Sequence, residues 1–178
     1  MSAPTSARSI GSKVELTLRP KVPMYCLQGA AYVCALGAAE AVDARIRWPH
    51  TLLDEKGAPL ATVMARGGYD DDGLFIRAAG EALTEEMATG IRNRAADWEA
   101  AITRREGKVA GPLAPVLEAY VDRLAGFGSE VEVVFPNGNV AAHGTFCGVD
   151  VWGRATVRTA SGREVEVAPE QASLRPAD

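Results

Sequence analysis

An α+β fold, a mixed or antiparallel sheet with helices followed by a small SH3-like β-barrel, is what this 178-residue sequence predicts. Three observations predict it. Short strand-like runs crowd residues 44–78 too closely for crossover helices between them. Two helical patterns follow, over residues 82–106 and 113–124. Beyond Gly128 the chain turns entirely to brief β runs joined by tight turns.

Residues 1–12 are rich in Ser and Ala without periodicity and read as a flexible N-terminus. Val14, Leu16 and Leu18 alternate with polar neighbours, the pattern of a half-buried strand, and Pro20 and Pro23 close it. From Met24 to Val42 the chain is Ala-rich and apolar on nearly every face, which predicts a central buried helix. Strands are expected over Ala44–Trp48, Leu60–Arg66 and Leu74–Ala78, with Gly67-Gly68 and Asp70–Asp72 forming a hairpin loop.

Leu83, Met87, Ile91, Trp98 and Ile102 carry helical spacing, with Gly90 a candidate break. Leu113, Val116, Leu117, Tyr120, Val121 and Leu124 form a second helical stripe, closed by Gly126 and Gly128. Glu130–Phe135, Val140–Val149, Ala155–Thr159 and Glu164–Val167 are β runs around turns such as Asn137-Gly138 and Ser161-Gly162. A unit of about 50 residues built this way is too small for a sandwich and reads as a barrel. The predicted organisation is a flexible start over 1–12, an α+β domain over 13–127 and a barrel over 128–178.

Nineteen basic and 23 acidic residues are interleaved to a net charge of -4, so no basic face is expected for nucleic acid. No apolar run approaches the roughly 20 residues that span a bilayer, and Met1–Ser12 lack a signal-peptide core. No membrane partner and a cytoplasmic location are therefore expected. Cys26, Cys34 and Cys147 lack Cys-x-x-Cys spacing and neighbouring histidines, so they read as packed thiols and no metal is predicted.

The order of elements resembles the biotin-protein ligase family of biotin/lipoate ligases, and local motifs carry the likeness. Arg45-Ile46-Arg47-Trp48-Pro49-His50-Thr51 looks like the family's K-W-P-N-D motif. Trp48 and Pro49 match, whereas Arg47 stands at the lysine, His50 at the asparagine and Thr51 at the aspartate. Leu60-Ala61-Thr62-Val63-Met64 is similar to the family's K-L-A-G-I-L, with Pro59 at the lysine and Thr62 at the glycine. Leu74–Glu81 does not reproduce the G-x-G-x-N strand end. Gly148-Val149-Asp150 with Gly153, then Ala172-Ser173-Leu174-Arg175, is similar to the terminal barrel. The family's glycine- and arginine-rich N-terminal loop has no counterpart in the sequence.

The resemblance implies a ligase-like α+β domain and candidate ligand-binding residues Arg47, Trp48, Pro49, His50, Leu60 and Ala61. Arg47 can hold a phosphate or carboxylate bidentately, yet arginine replaces lysine poorly at a tight site. His50 is a candidate acid or base near neutral pH, or a structural turn residue. Since the cations and glycines that stabilise charge at phosphorus are replaced, a non-catalytic ligand- or partner-binding protein is expected, or one half of a split ligase. The alternative is an active small ligase that forms an acyl-adenylate and transfers it to a carrier-protein lysine. Biotin and ATP with Mg²⁺ are implied only if that activity is retained. The partners implied are a second copy of the chain, a complementing ligase subunit or a carrier protein. A deep pocket beside Arg47 and Trp48 would separate these readings from a plain interaction module.

Overall fold

The computed structural model describes residues 14–177, so the expected flexible segment lies outside the described residues. The fold class is as the sequence predicts: three antiparallel sheets and a small set of helices. Strand β1 (Val14–Leu18) pairs with β6 (Gly73–Gly80), which pairs with β5 (Met64–Asp70). Strands β2 (Arg45–Arg47), β3 (Thr51–Leu53) and β4 (Pro59–Thr62) form a second sheet. The third runs β10-β9-β8-β7-β11, from β7 (Glu130–Val134), β8 (Val140–Val149), β9 (Ala155–Arg158), β10 (Glu164–Val167) and β11 (Ser173–Pro176).

Helix α1 (Ala30–Ala41) follows a 3-10 turn over Met24–Gly29 and is buried from Tyr32 to Ala39, as an all-round apolar sequence requires. It packs against α2 (Glu85–Arg104) and strands β2, β3 and β5. α2 buries one stripe, Met87, Ile91, Ala95, Trp98 and Ile102, and turns its polar side outward. Thr84 caps it by accepting the Met87 N–H at 3.2 Å, and Glu85 and Glu86 complement the positive end of the helix dipole. No described helix is long and apolar enough to cross a membrane.

Four local expectations are corrected. Gly67 and Gly68 lie inside β5 rather than in the hairpin loop, which turns at Asp71-Asp72. A Cβ on Gly67 would stand 2.7 Å from Leu27 Cβ, and one on Gly68 2.5 Å from the Phe75 ring, so both glycines admit neighbours and not a turn. Leu60–Arg66 is two strands in two sheets: the chain crosses at Val63, whose side chain is fully buried and whose N–H donates to the His50 carbonyl at 3.0 Å. Gly90 does not break α2. The stripe from Leu113 to Leu124 yields only the six-residue helix α3 (Leu117–Asp122), because Pro115 interrupts it and the Leu113 N–H is spent on the Val151 carbonyl at 2.9 Å.

Candidate functional site

The turn Asp150–Arg154 between β8 and β9 is organised by its own first residue. Asp150 accepts the backbone N–H groups of Trp152 and Arg154, each at 2.9 Å, and the Arg154 Nε at 2.7 Å. Gly153 takes a φ of +87°, which favours glycine, and aims its carbonyl at the rest of the fold. That oxygen accepts two buried donors, the Tyr32 hydroxyl at 2.8 Å and the Trp48 Nε1 at 3.0 Å. Tyr120 meets the Tyr32 ring edge-on, with centroids 5.5 Å apart, and donates its hydroxyl to the Pro49 carbonyl. These buried, mutually satisfied bonds fix the C-terminal sheet against α1 and the end of β2.

A cleft of about 800 Å³ opens beside this junction, within the range of small-molecule sites. Leu27, Ala31 and Ala65 give it apolar wall, Gln28 and His50 give it polar wall, and Trp152, Arg154 and Glu170 enter from the C-terminal sheet side. Because both sides are pinned through Gly153, the cleft exists before any ligand arrives. Its indole, Trp152, is 38% exposed and lies 6.1 Å from the Tyr25 ring.

The six residues singled out in the sequence do not converge. His50 alone faces the cleft. Arg47 and Trp48 flank a different groove of only about 160 Å³, closed by Phe146, Leu174 and Pro176 of the C-terminal sheet. Leu60, 39% exposed, and buried Ala61 line a third groove of about 630 Å³ whose walls are mostly small apolar residues. Pro49, joined to Trp48 by a cis peptide, is spent on Tyr120. The larger cleft brings several polar side chains together and is therefore the candidate site. Sequence reasoning missed Gln28, Tyr32, Arg154 and Glu170; the one signal available was the Asp150-x-Trp152-Gly153 turn, where a tryptophan sits beside a turn glycine.

Two features set the site's electrostatics. Among the described residues Arg154 is the one basic side chain in the cleft besides His50, and it is taken up by Asp150 at 2.6 Å and Glu166 at 2.9 Å. Burial holds His50 below its ordinary value of 6.5, against a smaller opposing pull from its own backbone, so the ring is neutral at pH 7. Its Nδ1 is buried with no hydrogen-bond partner among the described residues. Burial, helped by Glu170 and then Asp150, pushes the Tyr32 phenol up and keeps it a donor.

A pH dependence follows for His50. Below pH 6.5 the unfolded chain takes up this proton before the folded one does, so the contribution of the neutral ring is whole above 6.5 and is lost as pH falls toward the folded value. Melting temperatures measured at pH 7.5 and 5 should therefore fall further for the wild type than for His50→Gln. Parallel falls would contradict it.

No protein-family model matches this chain, and no curated protein matches it. Solved structures do. A biotin protein ligase from Aquifex aeolicus is 15% identical over 92% of this chain and 81% of its own length, with a TM-score of 0.63. The apo structure of a biotin protein ligase from the same organism gives 16%, 90%, 81% and 0.61. A point mutant in complex with biotin gives 16%, 92%, 77% and 0.63. At these identities the likeness is one of fold.

Proposed function

We propose that this chain is a non-catalytic, biotin-protein-ligase-like binding protein that holds a small ligand in the cleft beside His50. One observation carries the reading: the usable volume lies away from the motif cation. The groove beside Arg47 has about 160 Å³, below the size of ordinary ligand sites, while the cleft of about 800 Å³ contains no uncommitted cation among the described residues.

Adenylation needs positive charge or oriented donors around a phosphate. ATP with Mg²⁺ fits neither place. Arg154 already serves two carboxylates, and Pro59 occupies the position where the ligase pattern carries a lysine. Reading the C-terminal sheet as an SH3-like barrel agrees with this function, since its turn supplies one side of the cleft.

Incubating the purified chain with biotin, ATP, Mg²⁺ and a biotin-acceptor domain is expected to leave the acceptor unlabelled. ATP-dependent labelling above the protein-free background would refute the proposal. A cleft ligand present at a hundred times its dissociation constant should stabilise the fold by about 2.7 kcal/mol, readable as a thermal shift.

A further inference from the structure

We propose that the cleft selects an organic cation, a primary amine or guanidinium on a short apolar or aromatic body, and rejects carboxylates and phosphates. This inference deepens the reading of the cleft as a ligand site and rests on it. Among the residues that line the cleft, Arg154 carries a guanidinium and Glu170 a carboxylate, and Arg154 is held by two further carboxylates outside the lining. Asp150 and Glu166 are bonded to it, and Glu170 has no ion-pair partner among the described residues. His50 adds no cation, because its buried ring is uncharged at neutral pH. A ligand carrying negative charge therefore meets no uncommitted cation among the described residues, and a cation meets Glu170 without having to displace a protein partner.

The remaining walls suit the rest of such a ligand. Trp152 lines the cleft with part of its indole open, and a cation over an indole face is attracted by the ring quadrupole. Contact with Tyr25 limits how far that indole swings. Leu27, Ala31 and Ala65 offer apolar surface for a short alkyl or aryl body. Gln28 supplies an amide oxygen that can accept an ammonium or guanidinium N–H.

The test is a matched set of probes titrated calorimetrically into the full chain: phenethylamine, phenethyl alcohol and 3-phenylpropionate, together with biotin and Mg-ATP. The amine should bind at least tenfold more tightly than the alcohol, and more weakly as salt is raised. The carboxylate, biotin and Mg-ATP should give no binding in the cleft. Glu170→Gln should cost the amine about tenfold without lowering the melting temperature, since Glu170 is exposed and its side chain bonds no neighbour among the described residues. Trp152→Ala should weaken the amine and the alcohol together.

Tighter binding of 3-phenylpropionate or Mg-ATP than of the amine would overturn the proposal. So would amine affinity unchanged in Glu170→Gln, or no binding of any probe. Biotin binding without acceptor labelling would remove the cation assignment and leave the non-catalytic reading in place. Acceptor labelling would remove that reading itself.

Discussion

Gly153→Ala is expected to lower the stability of the chain by about 3 kcal/mol, from two costs that do not substitute for each other. At φ +87° an alanine carries roughly 1–2 kcal/mol of backbone strain. Its Cβ would also stand 2.2 Å from Tyr32 Cζ, in a buried ring held by Tyr120, and overpacking of this kind costs about 1–3 kcal/mol. Any retreat of the turn lengthens the bonds from Tyr32 and Trp48 to the Gly153 carbonyl. Thermal melting should drop by about 10 °C for a chain of this size. Cleft ligands should lose affinity too, because the turn carries Trp152 and Arg154. Trp48→Phe isolates one part of the junction: it keeps a ring and deletes a donor, and should cost about 1 kcal/mol. A Gly153→Ala chain that melts within about 2 °C of the wild type would show that the junction is not held as described.

That junction is also where the sequence stopped being legible. Elements that depend on local pattern were readable: the alternation of Val14, Leu16 and Leu18 gives β1, and the four C-terminal β runs give β7 to β10 within a residue or two. The apolar surround of α1 was readable for the same reason. Gly67 and Gly68 were not, because a glycine pair has the same local signature whether it turns the chain or admits a neighbour. The neighbours, Leu27 and Phe75, are 40 residues upstream and seven downstream of the pair's nearer member. Likewise the stripe from Leu113 to Leu124 has helical spacing, but its first turn gives its backbone to Val151.

The candidate site is illegible for a further reason. His50 was named from a motif, whereas Arg154 and Glu170 come to share a cleft with it and with Gln28 only when the C-terminal sheet docks beside α1. No periodicity encodes such a meeting. The motif residues show the converse: Trp48 and Pro49 were found by resemblance, and the fold spends both on holding elements together. The likeness to the Aquifex ligases, at 15–16% identity, is one of fold and assigns these two residues no role, since a scaffold constrains packing more tightly than chemistry.

The crossing of α1 and α2 supplies the other large effect. Gly37→Ala and Gly90→Ala should each destabilise the fold by about 2 kcal/mol, although alanine is the better helix former by about 1 kcal/mol. Helix propensity and close approach oppose each other here, and the distances decide between them. A Cβ on Gly37 would lie 2.5 Å from the Gly90 carbonyl oxygen and 2.8 Å from Ile91 Cα. One on Gly90 would lie 2.2 Å from the Gly37 oxygen and 2.7 Å from Ala41 Cβ. The obstacles are mostly backbone and a buried helix, which do not swing aside as a long side chain does. Glu40 and Arg94, paired in parallel across the same crossing, tie the helices at the height where they would have to separate. Once one substitution has forced the helices apart, the second meets a gap already opened, so the double variant should lose less than the sum of the two. Urea denaturation of the four chains measures this directly. Stabilisation by either alanine, as propensity alone would give, would show that the helices do not meet this closely.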